Sequence, residues 1–168
     1  SAVSREQNET FAKDSLDKSV NLAPGVSSTN TGGSRNEQNV FVRGFDRWQV
    51  PLFLDGVRLY LPADNRLDFG RFLTPDISEV QIAKGYASVL DGPGAMGGLI
   101  NLVSRKPTKP IEGELRIGSE LGRDGSYLGT KTYGRIGTKQ ENYYAQVSGA
   151  WRDLRGFMLS RDFTPTAL

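Results

Sequence analysis

The chain has 168 residues, with 21 Lys and Arg, 19 Asp and Glu and a formal net charge of +2. Its basic residues are spread along the sequence and form no run that could follow a phosphate backbone, so we expect no nucleic-acid partner. The chain contains neither cysteine nor histidine. This excludes disulfides, thiolate metal sites and Ser-His triads, so we expect neither an enzyme nor a bound cofactor.

The N-terminal part of the sequence predicts one short helix and one loop. Phe11, Leu16 and Val20 are spaced as on one face of a helix, and a Pro-Gly pair then ends the pattern. We therefore predict a short helix over 11–21. Residues 26–38 are polar and rich in Gly, Ser, Thr and Asn, which predicts a loop.

Strands and turns dominate the middle of the chain. Residues 39–45 and 51–60 are rich in β-branched and aromatic side chains, and the pair Asp55-Gly56 predicts a tight turn inside the second run. The triplet Thr74-Pro75-Asp76 is a favourable helix start, so a short helix is predicted there. A strand over 79–83 follows it.

Four glycines lie close together in residues 91–98, which requires positive φ angles or close backbone approaches. A phosphate-binding loop would end in Lys-Ser/Thr and lead into a helix, whereas an apolar strand, 99–103, follows here. The segment is therefore predicted to be a turn between strands and not a nucleotide site.

Beyond residue 112 the pattern changes to a two-residue alternation. The segments 113–121, 128–138 and 143–152 each predict a strand with one apolar and one polar face. Their length and period suit membrane-spanning β-strands as well as a soluble antiparallel sheet. Apolar runs such as 98–103 are far shorter than the roughly 20 residues that a membrane helix needs.

A series of short motifs runs through residues 12–107 in a defined order. The series reads Pro24-Gly25-Val26, Val42-Arg43-Gly44-Phe45, Leu54-Asp55-Gly56-Val57, Glu79-Val80, KGYAS at 84–88 and GGLINLV at 97–103. In order and spacing it resembles the plug domain of TonB-dependent outer-membrane transporters. Lys84 and Tyr86 depart from the family pattern, which has arginine and proline at these positions.

The resemblance implies the fold class and the domain organisation. We expect an α+β plug domain, a small mixed sheet with short helices, over residues 1–107. A linker over 108–112 then leads into residues 113–168, the first three or so antiparallel strands of an incomplete transmembrane β-barrel. In this context the alternating segments are expected to be membrane strands. The expected location is the outer membrane, with the plug inside the barrel lumen and facing the periplasm.

The same resemblance implies a substrate-binding and gating plug of an active importer, most often for a ferric siderophore. The expected partners are the energy-coupling protein TonB, a ferric siderophore or similar small ligand, and outer-membrane lipid. The segment that engages TonB is not recognisable in residues 1–10. Cobalamin, haem, other metal chelates and glycans are alternative cargoes because the same architecture carries them.

Two loops between strands are the candidate ligand-binding elements. Arginine with tryptophan and tyrosine can hold an anionic chelate by charge, hydrogen bonds and stacking. The candidate residues are Arg47, Trp48 and Gln49 in the first loop, and Tyr60, Asp64, Asn65 and Arg66 in the second. An alternative is that Trp48 packs against the barrel wall and that 64–66 is a solvated turn.

Arg43, Glu79 and Lys84 are candidates for the salt-bridge cluster that, by the resemblance, locks the plug to the barrel wall. Lysine at position 84 keeps the charge of the family's arginine but loses its bidentate geometry. A looser or differently arranged lock is therefore expected.

Two other classes of function stay open at this point. A soluble β-rich ligand-binding module without transport would have residues 113–152 soluble in water without detergent. An enzyme using Asp46, Asp55 or Asp64 would lose turnover on a single Asp→Asn change, although the spacing of these residues gives no converging acid/base pair.

Overall fold

A computed structural model describes residues 1–30, 37–62, 67–85, 88–122 and 125–155. The chain divides into two compact units, Ser1–Lys106 and Pro107–Leu168. None of the helices in these described ranges is long and apolar enough to cross a membrane.

The first unit combines short strands with short helices. Its helices are α1 (Arg5–Thr10) and α2 (Leu16–Val20), and single 3₁₀ turns lie at Phe69–Arg71 and Val89–Asp91. Its strands are β1 (Ala2–Ser4), β2 (Val26–Asn30), β3 (Gln38–Val42), β4 (Leu52–Leu54), β5 (Val57–Leu59), β6 (Ile77–Lys84) and β7 (Gly98–Ser104). This α+β composition is the predicted fold class.

A five-stranded sheet forms the centre of the first unit, in the strand order β1-β6-β7-β4-β5. Strands β4 and β7 are parallel, and the other neighbours are antiparallel, so the sheet is mixed. Alternate residues of β6 and β7, such as Val80 and Ile100, are fully buried. They pack in one core with Leu16 and Val20 of α2, and this apolar burial is the main stabilising contribution to the unit.

The N-terminus holds two elements that the sequence analysis missed, β1 and α1. The Ser4 hydroxyl accepts a hydrogen bond from the Gln7 backbone N–H at 3.2 Å, and the Gln7 side chain accepts one from the Ser4 N–H at 2.9 Å. This reciprocal capping box starts α1, and its Ser-x-x-Gln spacing is visible in the sequence. The helix predicted over 11–21 is wrong at its start, because Ala12 has a positive φ of 51° and separates α1 from α2.

Two further expectations are wrong. The polar run from Val26 to Asn30 is not a loop but strand β2, which pairs antiparallel with β3. Its polar composition reflects the mostly exposed side chains that follow the buried Val26. The segment 74–76 forms a single turn and no helix, because the Ile77 N–H bonds the Thr74 carbonyl at 2.9 Å and the chain continues directly into β6.

The Asp55-Gly56 turn is confirmed as the connection between β4 and β5. Both residues have positive φ, 50° and 80°, as a two-residue hairpin turn of type I′ requires. The Asp55 carboxylate accepts a hydrogen bond from the Ser104 N–H at 2.8 Å, and the Gly56 N–H donates to the Asn101 side-chain oxygen at 3.0 Å. These two bonds attach the hairpin to β7.

Replacing Asp55 with Asn is expected to make the free energy of unfolding of the first unit depend less on pH in the acid range. Hydrogen bonds from Ser104 and the charge of Lys106 hold the pKa of the Asp55 carboxyl below its ordinary value of 3.8, against a smaller opposing effect of burial. A depressed pKa contributes stability that is present above the unfolded-state pKa and is lost as pH falls through the folded-state pKa. Because the carboxyl is largely exposed, the loss is at most about 1 kcal/mol.

Urea titrations of the wild type and of Asp55→Asn between pH 7 and pH 2, followed by circular dichroism, measure this difference in the pH dependence of stability. Asn tolerates the positive φ at this position, so the substitution removes the charge while keeping the turn. A parallel pH dependence in the two proteins would contradict the expectation.

The second unit is a three-stranded antiparallel meander. Strands β8 (Glu112–Leu121), β9 (Tyr127–Lys139) and β10 (Tyr144–Leu154) lie in the order β10-β9-β8. They match the three predicted strands closely, and β8 begins at Glu112, the last residue of the predicted linker. The registers Leu115↔Gly134 and Gly149↔Gly134 place residues of all three strands in one row across the sheet.

The two faces of this meander differ in polarity, as the alternation predicted. One face exposes large apolar side chains, among them Leu115, Ile117, Ile136, Val147 and Trp151. The other face carries ion pairs between neighbouring side chains: Glu112 with Arg135, Glu114 with Arg116, and Glu120 with Lys131 at 2.9 Å.

Candidate functional site

The loops of the first unit meet at one end of its five-stranded sheet, which we call the loop edge. Strands β5 and β6 end there and β4 and β7 begin there, as the registers Leu52↔Leu59, Leu52↔Ile100 and Lys84↔Gly98 show. The loop edge therefore comprises residues 43–51, 60–62, 85 and 88–97. The Asp55-Gly56 turn lies at the opposite end of the same sheet.

The first candidate loop is a tight turn that presents Trp48. The Asp46 carboxylate accepts a hydrogen bond from the Trp48 N–H at 2.9 Å, and the Gln49 N–H donates to the Asp46 carbonyl at 3.0 Å. The Trp48 side chain is 49% exposed, which is high for so large an apolar group. The Arg47 guanidinium carbon lies 5.4 Å from the centroid of the Trp48 ring, within the range of a cation–π interaction.

The glycine-rich segment, residues 91–98, packs against this turn. The Gly97 N–H donates to the Gln49 carbonyl at 2.9 Å. A Cβ added at Gly97 would lie 2.7 Å from Cγ of Phe45, and one at Gly94 would lie 2.8 Å from the Trp48 carbonyl oxygen. Gly94 therefore allows the close backbone approach that the sequence suggested, and Gly97 leaves room for the Phe45 side chain.

Tyr60 follows the last residue of β5 and is 60% exposed. Because Leu59 pairs with Leu52 at the start of β4, Tyr60 lies at the same edge as the Trp48 turn. The structure thus brings four candidate residues, Arg47, Trp48, Gln49 and Tyr60, to one end of the sheet. The other three, Asp64, Asn65 and Arg66, lie outside the described residues.

Sequence reasoning missed several exposed apolar side chains at the loop edge. They are Phe45, Leu61, Leu90 and Met96. Large apolar residues next to glycines and polar residues, outside any alternating strand pattern, are the signal that could have identified them. Together with Trp48 and Tyr60 they form a set of exposed apolar and aromatic side chains at the loop edge.

Arg43 lies in a turn and not in a strand, so the strand predicted over 39–45 ends early. Arg43 and Gly44 both have positive φ, 51° and 85°, and Val42 and Phe45 exchange backbone hydrogen bonds of 2.9 and 3.0 Å across them. The chain therefore reverses within two residues. The Arg43 side chain is exposed, and its backbone N–H donates to the Gly25 carbonyl at 2.8 Å.

Of the three lock candidates, Arg43 and Lys84 lie together. The Lys84 ammonium donates to the Pro24 carbonyl, and Nη1 of Arg43 lies 4.0 Å from the point where a Cβ on Gly85 would be. Glu79 is on β6 as well, five residues before Lys84, which is about 17 Å along an extended strand and on its other face. The structure does not bring Glu79 to the other two.

Comparison with known proteins decides which family this fold represents. A family model of the TonB-dependent receptor plug domain matches residues 1–99. The chain belongs to this plug domain family. The predicted resemblance is thereby confirmed.

Two curated relatives illustrate the match to the TonB-dependent receptor plug. The vitamin B12 transporter BtuB of Vibrio vulnificus is 28% identical over 156 residues, which are 91% of this chain and 24% of the transporter. The ferrioxamine B receptor of Salmonella typhimurium is 29% identical over 119 residues, 70% of this chain and 17% of the receptor. This chain therefore spans about a quarter or less of these relatives.

Solved structures show the same fold. The siderophore receptor PirA of Acinetobacter baumannii has a TM-score of 0.70 at 18% identity, covering 90% of this chain and 24% of PirA. The ferripyoverdine receptor of the outer membrane of Pseudomonas aeruginosa has a TM-score of 0.73 at 18% identity, covering 94% of this chain and 20% of the receptor. The homologues are receptors and transporters of the Gram-negative outer membrane and not enzymes, as expected from the sequence.

Proposed function

We propose that this chain is the ligand-binding and gating plug of an outer-membrane active importer, and that the cargo is a ferric siderophore. The observation that carries the proposal is the loop edge, where Arg47 lies over the exposed ring of Trp48 and Tyr60 is exposed at the same end of the sheet. Three of the four similar proteins quoted above are, by name, a siderophore receptor, a ferrioxamine B receptor and a ferripyoverdine receptor, which supports this cargo class.

The chemistry of the loop edge favours an anionic and partly aromatic ligand. Arg47 supplies a cation over the Trp48 ring, and the Asp46 carboxylate accepts a hydrogen bond from the Trp48 N–H. Catecholate chelates of iron are anionic and present flat rings, so they suit both stacking on Trp48 and charge-assisted hydrogen bonds to arginine. Tyr60 and Gln49 add hydrogen-bonding groups at the same edge, and Asp64, Asn65 and Arg66 stay candidates.

Transport in this proposal depends on TonB, which pulls on the plug to release the cargo inward. Arg43 and Lys84 then form the lock with carboxylates of the surrounding receptor. Glu79 contributes separately, because it lies on the other face of β6. The bond from Lys84 to Pro24 connects this lock to the turn before β2, so the lock and the core of the plug move together.

The second unit would contact outer-membrane lipid through the apolar face of its meander. That face exposes Leu115, Ile117, Val147 and Trp151, while the ion pairs lie on the other face. One apolar and one polar face per strand is the pattern of strands that separate lipid from an aqueous lumen.

Equilibrium binding to the intact receptor that carries this chain tests the proposal. The probes are anionic ferric enterobactin, cationic ferrioxamine B and neutral cyanocobalamin, each titrated in detergent with intrinsic fluorescence as readout. Ferric enterobactin is expected to bind saturably, and Trp48→Ala is expected to raise its Kd about tenfold, because the stacking surface and the partner of Arg47 are removed.

Trp151→Ala is the matched control, since Trp151 is also an exposed tryptophan but lies in the second unit. It is expected to leave every Kd unchanged. Preferential binding of cyanocobalamin would replace the siderophore assignment with cobalamin, and a Kd insensitive to Trp48→Ala for all three probes would remove the ligand role of the loop edge.

A further inference from the structure

Arg58 makes contacts that neither its sequence pattern nor the ligand-site candidates anticipated. It lies in β5, the last strand in the order of the five-stranded sheet. Its Nη1 donates a hydrogen bond to the Pro93 carbonyl at 2.7 Å. A Cβ added at Gly92 would lie 3.3 Å from the same Nη1. The guanidinium of Arg58 therefore lies directly against the glycine-rich segment.

Gly94 links Arg58 to the Trp48 turn. The position that a Cβ on Gly94 would occupy lies 3.6 Å from Nη2 of Arg58 and 2.8 Å from the Trp48 carbonyl oxygen. The guanidinium of Arg58 and the carbonyl of Trp48 therefore both lie against the face of Gly94 where a side chain would be. Gly92 and Gly94 both have positive φ, 80° and 83°, so this path of the segment depends on glycine at both positions.

We propose that Arg58 is a positioning residue, which holds residues 92–97 in place under the turn that presents Trp48. The inference deepens the proposed function and rests on it for the role of Trp48. Arginine suits this task because its planar fork can donate from Nη1 to Pro93 while Nη2 packs against Gly94. The glycine-rich segment in turn supports Trp48 and Gln49 through the Gly94 contact and the Gly97 hydrogen bond.

The bond between Arg58 and Pro93 also helps to hold β5, a three-residue strand at the end of the sheet. Strand β5 pairs with β4 through three residue pairs, Leu52↔Leu59, Phe53↔Arg58 and Leu54↔Val57. The contact to Pro93 spans 35 residues of sequence and adds a second attachment on the loop-edge side. The hairpin and the glycine-rich segment therefore stabilise each other.

Hydrogen exchange of the intact receptor tests the positioning role without any ligand. Arg58→Met removes the donors and keeps an unbranched side chain, and amide exchange in peptides covering 92–97 and 46–49 is expected to rise about tenfold. Peptides in the middle of β7 report on the sheet itself and are expected to keep their exchange rates. Arg58→Lys keeps one donor and the charge and should recover part of the protection.

Arg71→Met is the matched control, because it makes the same chemical change at an arginine whose side chain is 82% exposed and pairs with Asp68. It should leave the amide exchange rates of the peptides covering 92–97 and 46–49 unchanged. A second readout is the emission attributable to Trp48, obtained as the difference between each variant and its Trp48→Phe partner. A shift in this difference spectrum in Arg58→Met, but not in Arg71→Met, is expected.

Ligand binding separates this inference from the proposed function. If Arg58→Met raises the Kd for ferric enterobactin and loosens both loop peptides, positioning of a ligand-binding Trp48 is supported. If amide exchange in the two loop peptides rises in Arg58→Met while the wild-type receptor binds none of the three probes, the positioning of Trp48 is supported and the cargo assignment fails. Unchanged exchange in both peptides of Arg58→Met would overturn the inference.

Discussion

Replacing Gly98 with Ala is expected to destabilise the first unit by about 3–5 kcal/mol, because the added methyl group brings both backbone strain and a steric clash. Gly98 has a φ of 126°, a region that residues with a Cβ rarely adopt. A Cβ there would also lie 3.0 Å from the carbonyl carbon of Ala83 and closer still to its oxygen. Both atoms belong to the neighbouring strand β6, which cannot yield without breaking its pairing with β7.

Gly56→Ala separates the two causes of this destabilisation. Gly56 also has a positive φ, 80°, but a Cβ there would meet nothing within 4 Å. Its cost is therefore the backbone strain alone, about 1 kcal/mol. Hydrogen exchange of β6 and β7 amides gives the comparison, with a loss of protection of at least about a hundredfold expected for Gly98→Ala. Equal losses in the two variants would show that the contact with Ala83 contributes nothing.

Replacing Arg135 with Met is expected to destabilise the second unit by about 2–4 kcal/mol. The Arg135 side chain is 1% exposed and pairs with Glu112, which is 16% exposed. Removing one partner of a buried ion pair leaves the other charge without compensation. The loss is moderated because the second Glu112 oxygen still accepts hydrogen bonds from Thr108 and Lys109 backbone N–H groups at 3.1 and 3.3 Å.

The double variant Glu112→Gln with Arg135→Met provides the internal control. It removes both charges, so part of the stability should return relative to Arg135→Met alone. Thermal denaturation of the intact receptor in detergent, with Arg71→Met as the exposed comparison, reports the differences. If Arg135→Met behaves like Arg71→Met, then Glu112 is hydrated and the pair contributes little.

Local turn chemistry and strand period were predictable from the sequence. The Asp55-Gly56 hairpin follows from two adjacent residues that accept positive φ, and the three strands of the second unit follow from a two-residue period sustained over about ten residues. The exposed turn around Trp48 was also predictable, because Asp46 can bond the N–H two residues ahead. These features depend on neighbours in sequence.

Features that depend on distant partners were not predictable. Strand β1 has three residues and exists because Val3 pairs with Val80 of β6. Strand β2 has a polar sequence that resembles a loop until β3 pairs with it. The contact of Arg58 with Pro93 likewise joins residues that are 35 positions apart in the sequence, so no local pattern specifies it.

The hydrogen bond from Lys84 to Pro24 has a consequence for the approach of a charged ligand. A carbonyl acceptor carries no formal charge, so the bond satisfies a donor of the ammonium without cancelling its positive field. Lys84 and the neighbouring Arg43 thus both contribute positive charge near the loop edge, and positive charge accelerates encounter with anions at long range. Such attraction weakens as the Debye length shortens, so capture of an anionic chelate would slow in concentrated salt while that of a neutral one would not.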